Sequence, residues 1–406
     1  MTQSAAELLS ILRLGPFREY TASGAANGLA SGLLQAVILW QVYAISGSAL
    51  SLGIVGLVAF AAALLSSLVG GAVADTYDRR AILLAAQLAP GLASLVMLAA
   101  IATEHVSLEL IYGLVLVSGV AAALDNPARQ AILPALVSRK LFPRAVTVNS
   151  ASSSLMSVSG PAVGGVLIAS GGVAAAYAAH VLLVLIAMLA LAPLKITGER
   201  GGTRMDLGMI RAGVAYVWQR PILLGAMSLD MFAVLFGGAR ALLPVYAVDI
   251  LHADAVGYGM LSASLEAGTL LMAVLLLALP IPRRTGLLLL VAVAVFGLAT
   301  ILFGVSTALP LSILAYALVG MADQVSMVMR HTMIQISTPD ALRGRVSGVG
   351  SIFISASNEL GALESGLVAA ATSAVFAVVS GGVACLLVVA LIAWKVPSLR
   401  RYSRSD

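Results

Sequence analysis

Residues 330–345 read RHTMIQISTPDALRGR, with Arg330, Asp340, Arg343 and Arg345 supplying four charges in sixteen positions. Over the whole chain only 10% of residues are charged. So polar a patch between two long apolar runs marks a connection between buried segments. The patch has a twin. Residues 129–146, RQAILPALVSRKLFPRAV, match it at an offset of 201 residues. In each copy an arginine, Arg129 or Arg330, ends an apolar run, and a second, Arg144 or Arg345, follows fifteen residues later. A leucine, Leu141 or Leu342, stands three places before that second arginine. Basic flanks adjoin many membrane spans, so chance is the competing explanation. The agreement in spacing and position, at half of a 406-residue length, favours duplication.

Composition sets the surroundings of these patches. Hydrophobic residues make up 60% of the chain and the mean hydropathy is +1.04. Soluble domains carry about 25% charged residues, so this chain lacks the polar surface to cover a water-soluble globule. Apolar runs of about twenty residues, the length that crosses a bilayer as a helix, recur throughout. Punctuation by glycine, proline and charge predicts twelve spans, near 20–45, 51–74, 81–102, 108–129, 146–170, 173–194, 221–247, 257–280, 286–305, 310–337, 346–370 and 374–396. The expected fold is an all-α membrane protein of two six-helix pseudo-symmetric halves, 1–194 and 221–406, with a cytoplasmic linker at 195–220. Parallel repeats of this kind point to a transporter whose binding site lies between the halves near the midplane.

Charge orients the spans. Even-numbered connections hold Arg79 and Arg80; Arg139, Lys140 and Arg144; Lys195, Arg200, Arg204, Arg211 and Arg220; Arg283 and Arg284; Arg343 and Arg345. Odd-numbered ones such as SGSAL, TEHVSL and DILHADA contain no lysine or arginine. The positive-inside rule predicts that both termini are cytoplasmic. The opening residues, with Glu7 and Glu19, read as an amphipathic lead-in rather than a cleavable leader. The net charge of +5 is spread over loops at one face, which is not a nucleic-acid footprint. Cys385, the lone cysteine, permits no internal disulfide. His105, His180 and His252 form no metal-binding pattern, no glycine loop with a lysine binds a nucleotide, and no nucleophile stands beside a base. These features predict neither an enzyme nor an ATP-driven pump.

The second connection, GGAVADTYDRRAIL, supplies Gly71, Asp75, Asp78, Arg79 and Arg80. A glycine admits a neighbouring helix, an acid can bond helix-end amides, and arginines can latch to a partner carboxylate. This spacing resembles the loop signature of the major facilitator superfamily. DNPARQAILPALV, LLPVYAVDIL, TPDALRGRVSG and SNELGALESG resemble the branch that contains the bacterial enterobactin exporter and macrolide efflux pumps. The chain departs from the general signature at Thr76, where a base is usual, and at Asp78, where glycine is usual. The fourth span, LIYGLVLVSGVAAAL, lacks the superfamily's arginine. In the fifth span Gly160, Pro161, Gly164 and Gly165 resemble the tail of a motif of proton-coupled antiporters, with Met156 where an upstream glycine is usual. Simple packing is the alternative reading of these small residues.

Ionisable groups inside the spans concentrate in the C-terminal half: Asp230, Glu266, Asp323, Glu359 and Glu364 against Arg240 and Arg330. Each charge costs about 2.5–3.5 kcal/mol to insert, so partners or protonation are expected. Asp230 and Glu266 each lie about nine residues into their expected spans, or roughly 14 Å deep at 1.5 Å per residue, which makes them the expected proton-coupling pair. Asp323 and Arg330, seven apart, share a helix face, with Arg330 expected near the cytoplasmic rim. The alternative is that these acids serve only as pairs between helices. The N-terminal half offers Asp125, Asn27, Gln35 and Asn149. The twin patches are expected to act as cytoplasmic latches, with Arg129, Arg144, Arg330, Arg343 and Arg345 joining Asp75, Asp78 and Asp340. The resemblance implies an exporter of the bacterial inner membrane, monomeric and driven by the proton gradient without a cofactor. Its expected partners are protons, the bilayer and a small amphipathic substrate: a siderophore, drug or toxin. A lysophospholipid flippase and a non-transporting sensor or scaffold are the alternatives.

Overall fold

The computed structural model describes residues 11, 14–76, 78–194, 214–278 and 284–402, without the side chains of 67–76, 340, 341, 343–345, 347–349 and 351–352. Ten helices among the described residues are long and apolar enough to cross a bilayer. In chain order the first four are α1 (Gly15–Ser46), α2 (Ala49–Thr76), α3 (Arg79–Ala102) and α4 (Leu108–Leu136). A 50-residue run, Phe142–Leu191, then holds two spans, α5 and α6. Gly171 and Gly172 divide them: Gly172 has φ +68° and ψ −175°, a conformation open to glycine and closed to residues with a Cβ.

The second half runs through α7 (Pro221–Gly237), α8 (Ala255–Ala278), α9 (Thr285–Val305), α10 (Leu309–Ser337), α11 (Asp340–Ala371) and α12 (Ala374–Lys395). α11, 32 residues long, completes the twelve spans. Their outward residues include Leu277, Trp394 and Leu189, which are 88%, 76% and 71% exposed. Large apolar side chains left this bare are at home against lipid tails and costly in water.

The packing divides the chain into two compact units, 1–45 with 61–204, and 46–60 with 205–406. In the first unit, Phe17, Tyr20, Leu83, Ile132, Ala145 and Leu191 bring α1, α3, α4, α5 and α6 into one buried cluster. Here α1 and α5 approach through glycine: a Cβ on Gly160 would sit 2.8 Å from Gly32 Cα. In the second unit α8 and α10 cross tighter still. A Cβ on Gly268 would overlap Ala317 O, and one on Gly320 would overlap Leu265 O. Lipid supplies no hydrophobic drive between helices, so such close backbone contact is what holds a membrane bundle together. Residues 46–60 belong to this unit, where a Cβ on Gly53 would lie 3.2 Å from Gly366 Cα on α11.

Candidate functional site

The site begins with an interruption. A continuous span at 221–247 is the sequence expectation, but regular helix stops at Gly237. Ala239–Leu242 follows as a 3₁₀ turn, then Leu243–Val245, then a π-helical turn at Tyr246–Ile250. The segment GGARALLP explains this locally. Gly237 and Gly238 weaken the helix, and Pro244 brings no N–H to its ladder. Irregular backbone at membrane depth persists only where protein covers it. Ala239, Ala241, Leu242, Leu243 and Val245 are all buried, and Tyr246 donates a 3.0 Å hydrogen bond to Gly304 O while its ring stacks on Phe303.

The interruption sets the direction of Arg240. Its guanidinium meets Glu266 of α8 at 3.5 Å. Asp323 of α10 lies within electrostatic range of Glu266, and Glu359 of α11 within range of Arg240. Four elements of the second unit thus link three carboxylates and one arginine, one contact and two longer-range electrostatic interactions, with each acid half-buried. Tyr316 of α10 lies within range of Arg240, Glu266 and Asp323. Glu364, five residues beyond Glu359, is also half-buried and accepts from the Ser365 hydroxyl at 3.4 Å.

Asp230 stands apart from this group. It pairs with Arg330, the two side chains being 8% and 6% exposed. Arg330, expected near the cytoplasmic rim, is buried within the bundle, and the carboxylate of another helix compensates its desolvation. Asp230 and Glu266 have different ion-pair partners. Asp230 lies on the regular part of α7 with Arg330, whereas Glu266 meets Arg240 beyond the interruption. Arg330, although it shares α10 with Asp323, is held by α7.

In the first unit the twin arginine has a related arrangement. Arg129 Nε meets Asp125 Oδ2 at 2.6 Å one turn earlier on α4, and Tyr20 donates to Arg129 O at 3.2 Å. The arginines of the second connection contact helix carbonyls. Arg79 Nη1 donates to Ala131 O at 3.1 Å, and Arg80 Nη2 donates to Ala192 O. Ala192 closes the C-terminal end of α6, where carbonyls lack internal donors and carry the negative end of the helix dipole, and so attracts a guanidinium. Asp78 caps α3, accepting from the Arg80 amide. Arg144 is half-buried. The side chains of Gly71, Asp75, Asp340, Arg343 and Arg345 lie outside the described residues. Asn27 is half-buried, Gln35 is exposed, and Gly160, Pro161, Gly164 and Gly165 are buried, the first of them against α1.

Three buried polar contacts in this unit escape a residue-by-residue reading of the sequence. Tyr177 donates to Gln41 at 2.6 Å, Gln87 to Ser23 at 3.2 Å, and Ser94 meets His180 Nδ1 at 2.8 Å. They tie α1 and α6 to each other and α3 to both. Among the described residues no three of His, Cys, Asp or Glu gather to hold a metal.

A major facilitator family model described as "Transmembrane secretion effector" matches residues 9–405. The chain belongs to the major facilitator superfamily. It is therefore a transporter and not an enzyme, with a small-molecule substrate and a multi-pass place in the membrane. Among its relatives is the enterobactin exporter EntS of Escherichia coli O81 (strain ED1a), 28% identical over 401 residues, 98% of this chain and 96% of the relative. EntS of Escherichia fergusonii is similar to the same extent. Two solved structures share the fold. An inward-facing, unoccupied bacterial homologue of the human lysosomal transporter Spinster has a TM-score of 0.71 at 15% identity, over 96% of this chain and 98% of that one. A D-xylose–proton symporter has a TM-score of 0.73 at 13% identity, over 96% and 99%. The carboxylate group of the second unit thus belongs to a major facilitator transporter with exporter relatives.

Proposed function

We propose that this transporter exports a small amphipathic molecule in exchange for protons, and that Arg240, Glu266, Asp323 and Glu359 carry the exchange. The observation behind the proposal is the imbalance of that group: Glu266 meets Arg240, Glu359 lies within range of Arg240 and Asp323 within range of Glu266, three carboxylates to one arginine within the spans. One charge is matched. Holding two more ionised carboxylates inside a membrane costs about 2.5–3.5 kcal/mol each, a cost that protons remove. A substrate that offers hydroxyl or amine donors can take the protons' place, because an ionised carboxylate only accepts hydrogen bonds. Substrate and proton then compete for the same oxygens. Competition of this sign drives antiport: substrate binds at the less acidic cytoplasmic face as protons leave, and protons from the other face expel it.

The relation to an enterobactin exporter favours export over uptake and makes enterobactin, with its phenolic hydroxyls, the first substrate to test. Drugs and toxins with exposed donors are the wider class. The basic even-numbered connections support cytoplasmic termini in a bacterial inner membrane, and the chain is taken to work as a monomer. The test is binding of enterobactin to purified protein across pH. Affinity rises with pH in the unmodified chain, and Glu359→Gln together with Asp323→Asn flattens the profile. A profile unchanged by both substitutions would place the exchange elsewhere.

A further inference from the structure

The Asp230–Arg330 pair lies outside the carboxylate group, yet it lines a recess of the second unit. Met227, Ile334, Phe353 and Ile354 form apolar walls, and His331 and Gly350 also line it. Two features make this more than a buried ion pair. First, a guanidinium carries five N–H donors, and among the described residues Arg330 has only one ion-pair partner, Asp230. Its side chain is more than nine-tenths buried, so water cannot freely serve the remainder. Second, the pair is neutral as a whole while offering donors from Arg330 beside an acceptor on Asp230.

From this geometry we infer that the recess is a subsite for a neutral amide borne on an apolar or aromatic body, its carbonyl accepting from Arg330 and its N–H donating to Asp230. A planar fork can hold the aspartate along one edge and a second oxygen along the other. The pair already balances its own charge, so an anion or a cation would bring an unmatched charge against a largely apolar lining, and that desolvation disfavours it against the amide. Gly350 is the position that keeps the space free, since a Cβ there would come within 3.2 Å of the Met227 methyl. As a station for exported molecules the subsite rests on the export reading. Its occupancy, however, can be measured without transport.

The experiment uses the full chain in lipid nanodiscs, with methionine methyls labelled with ¹³C and the Met227 signal assigned through Met227→Leu. The probes are N-butylbenzamide, 4-butylbenzoate and 4-butylbenzylammonium. The expected result is a saturable ring-current shift of the Met227 methyl with the amide, at an affinity about tenfold or more above either charged probe. Gly350→Val, which fills the recess, and Arg330→Lys, which removes the fork, each weaken the amide by a similar factor. Equal binding of the three probes, or a Met227 methyl that stays still while the amide binds, would overturn the subsite. Should Gly350→Val not fold, the methyl shift in the unmodified chain still decides between these outcomes. Export by a chain whose Met227 never responds removes this inference alone. A Met227 response in a chain that exports nothing supports the subsite and counts against the export reading.

Discussion

Breaking the Asp230–Arg330 pair separates a buried charge interaction from a decorative one. Both side chains are under one-tenth exposed, so neither charge finds water when its partner is lost. Removing one member of such a pair costs about 3–5 kcal/mol, whereas replacing both by neutral groups of similar volume is often close to neutral. Arg330→Met and Asp230→Asn should therefore each destabilise the second unit, with Arg330→Met the worse because a lone carboxylate stays among Met227, Ile334 and Phe353. The double variant should recover most of the loss, giving a coupling energy of about 2 kcal/mol or more. The comparison pair is Arg240–Glu266, whose arginine is 46% exposed. Screening reduces that contact to about 0–1 kcal/mol. The assay is reversible unfolding in mixed micelles, run as two double-mutant cycles. Additive single losses at Asp230 and Arg330, with coupling no larger than at Arg240 and Glu266, would refute the assignment of a desolvated pair.

Two further outcomes are expected. At the α8–α10 crossing, Gly268→Ala should cost about 1–3 kcal/mol, because its Cβ would overlap a backbone carbonyl that no side-chain rotation can move. Gly113→Ala, where a Cβ meets nothing within 4 Å, should cost little in the same unfolding assay. In a Cys385→Ala background, cysteines at Thr103 and Ala253 should react with an impermeant thiol reagent on intact cells. One at Ser398 should react only once the membrane is opened, and labelling of Ser398 from outside would reverse the proposed orientation.

The spans were legible because length and hydropathy are properties of single segments. Even the α5–α6 break falls where sequence punctuation puts it, between 170 and 173, since a glycine pair there admits backbone that other residues resist. The interruption of α7 was less legible. Gly237, Gly238 and Pro244 are ordinary in a membrane helix, and only their burial against neighbouring helices turns them into a 3₁₀ and π segment that aims Arg240. The acids of the candidate site could be picked out singly, because ionisable residues are rare in spans. Their partners could not. Asp230 and Glu266 sit at similar expected depth, which suggested one centre, but pairing depends on rotation about each helix axis and on which helices are neighbours. The Gln41–Tyr177, Gln87–Ser23 and Ser94–His180 contacts were hidden for the same reason, each residue being unremarkable until its partner is known.

Accumulation of radiolabelled enterobactin by everted membrane vesicles tests the central claim most directly. Vesicles carrying the unmodified chain, energised to an acidic interior, should concentrate the compound and release it when a protonophore collapses the gradient. Vesicles carrying Glu266→Gln, Asp323→Asn and Glu359→Gln together should fail to concentrate it although the protein is present and folded. Accumulation that ignores the protonophore, or that persists at full rate in the triple variant, would contradict proton exchange at this carboxylate group.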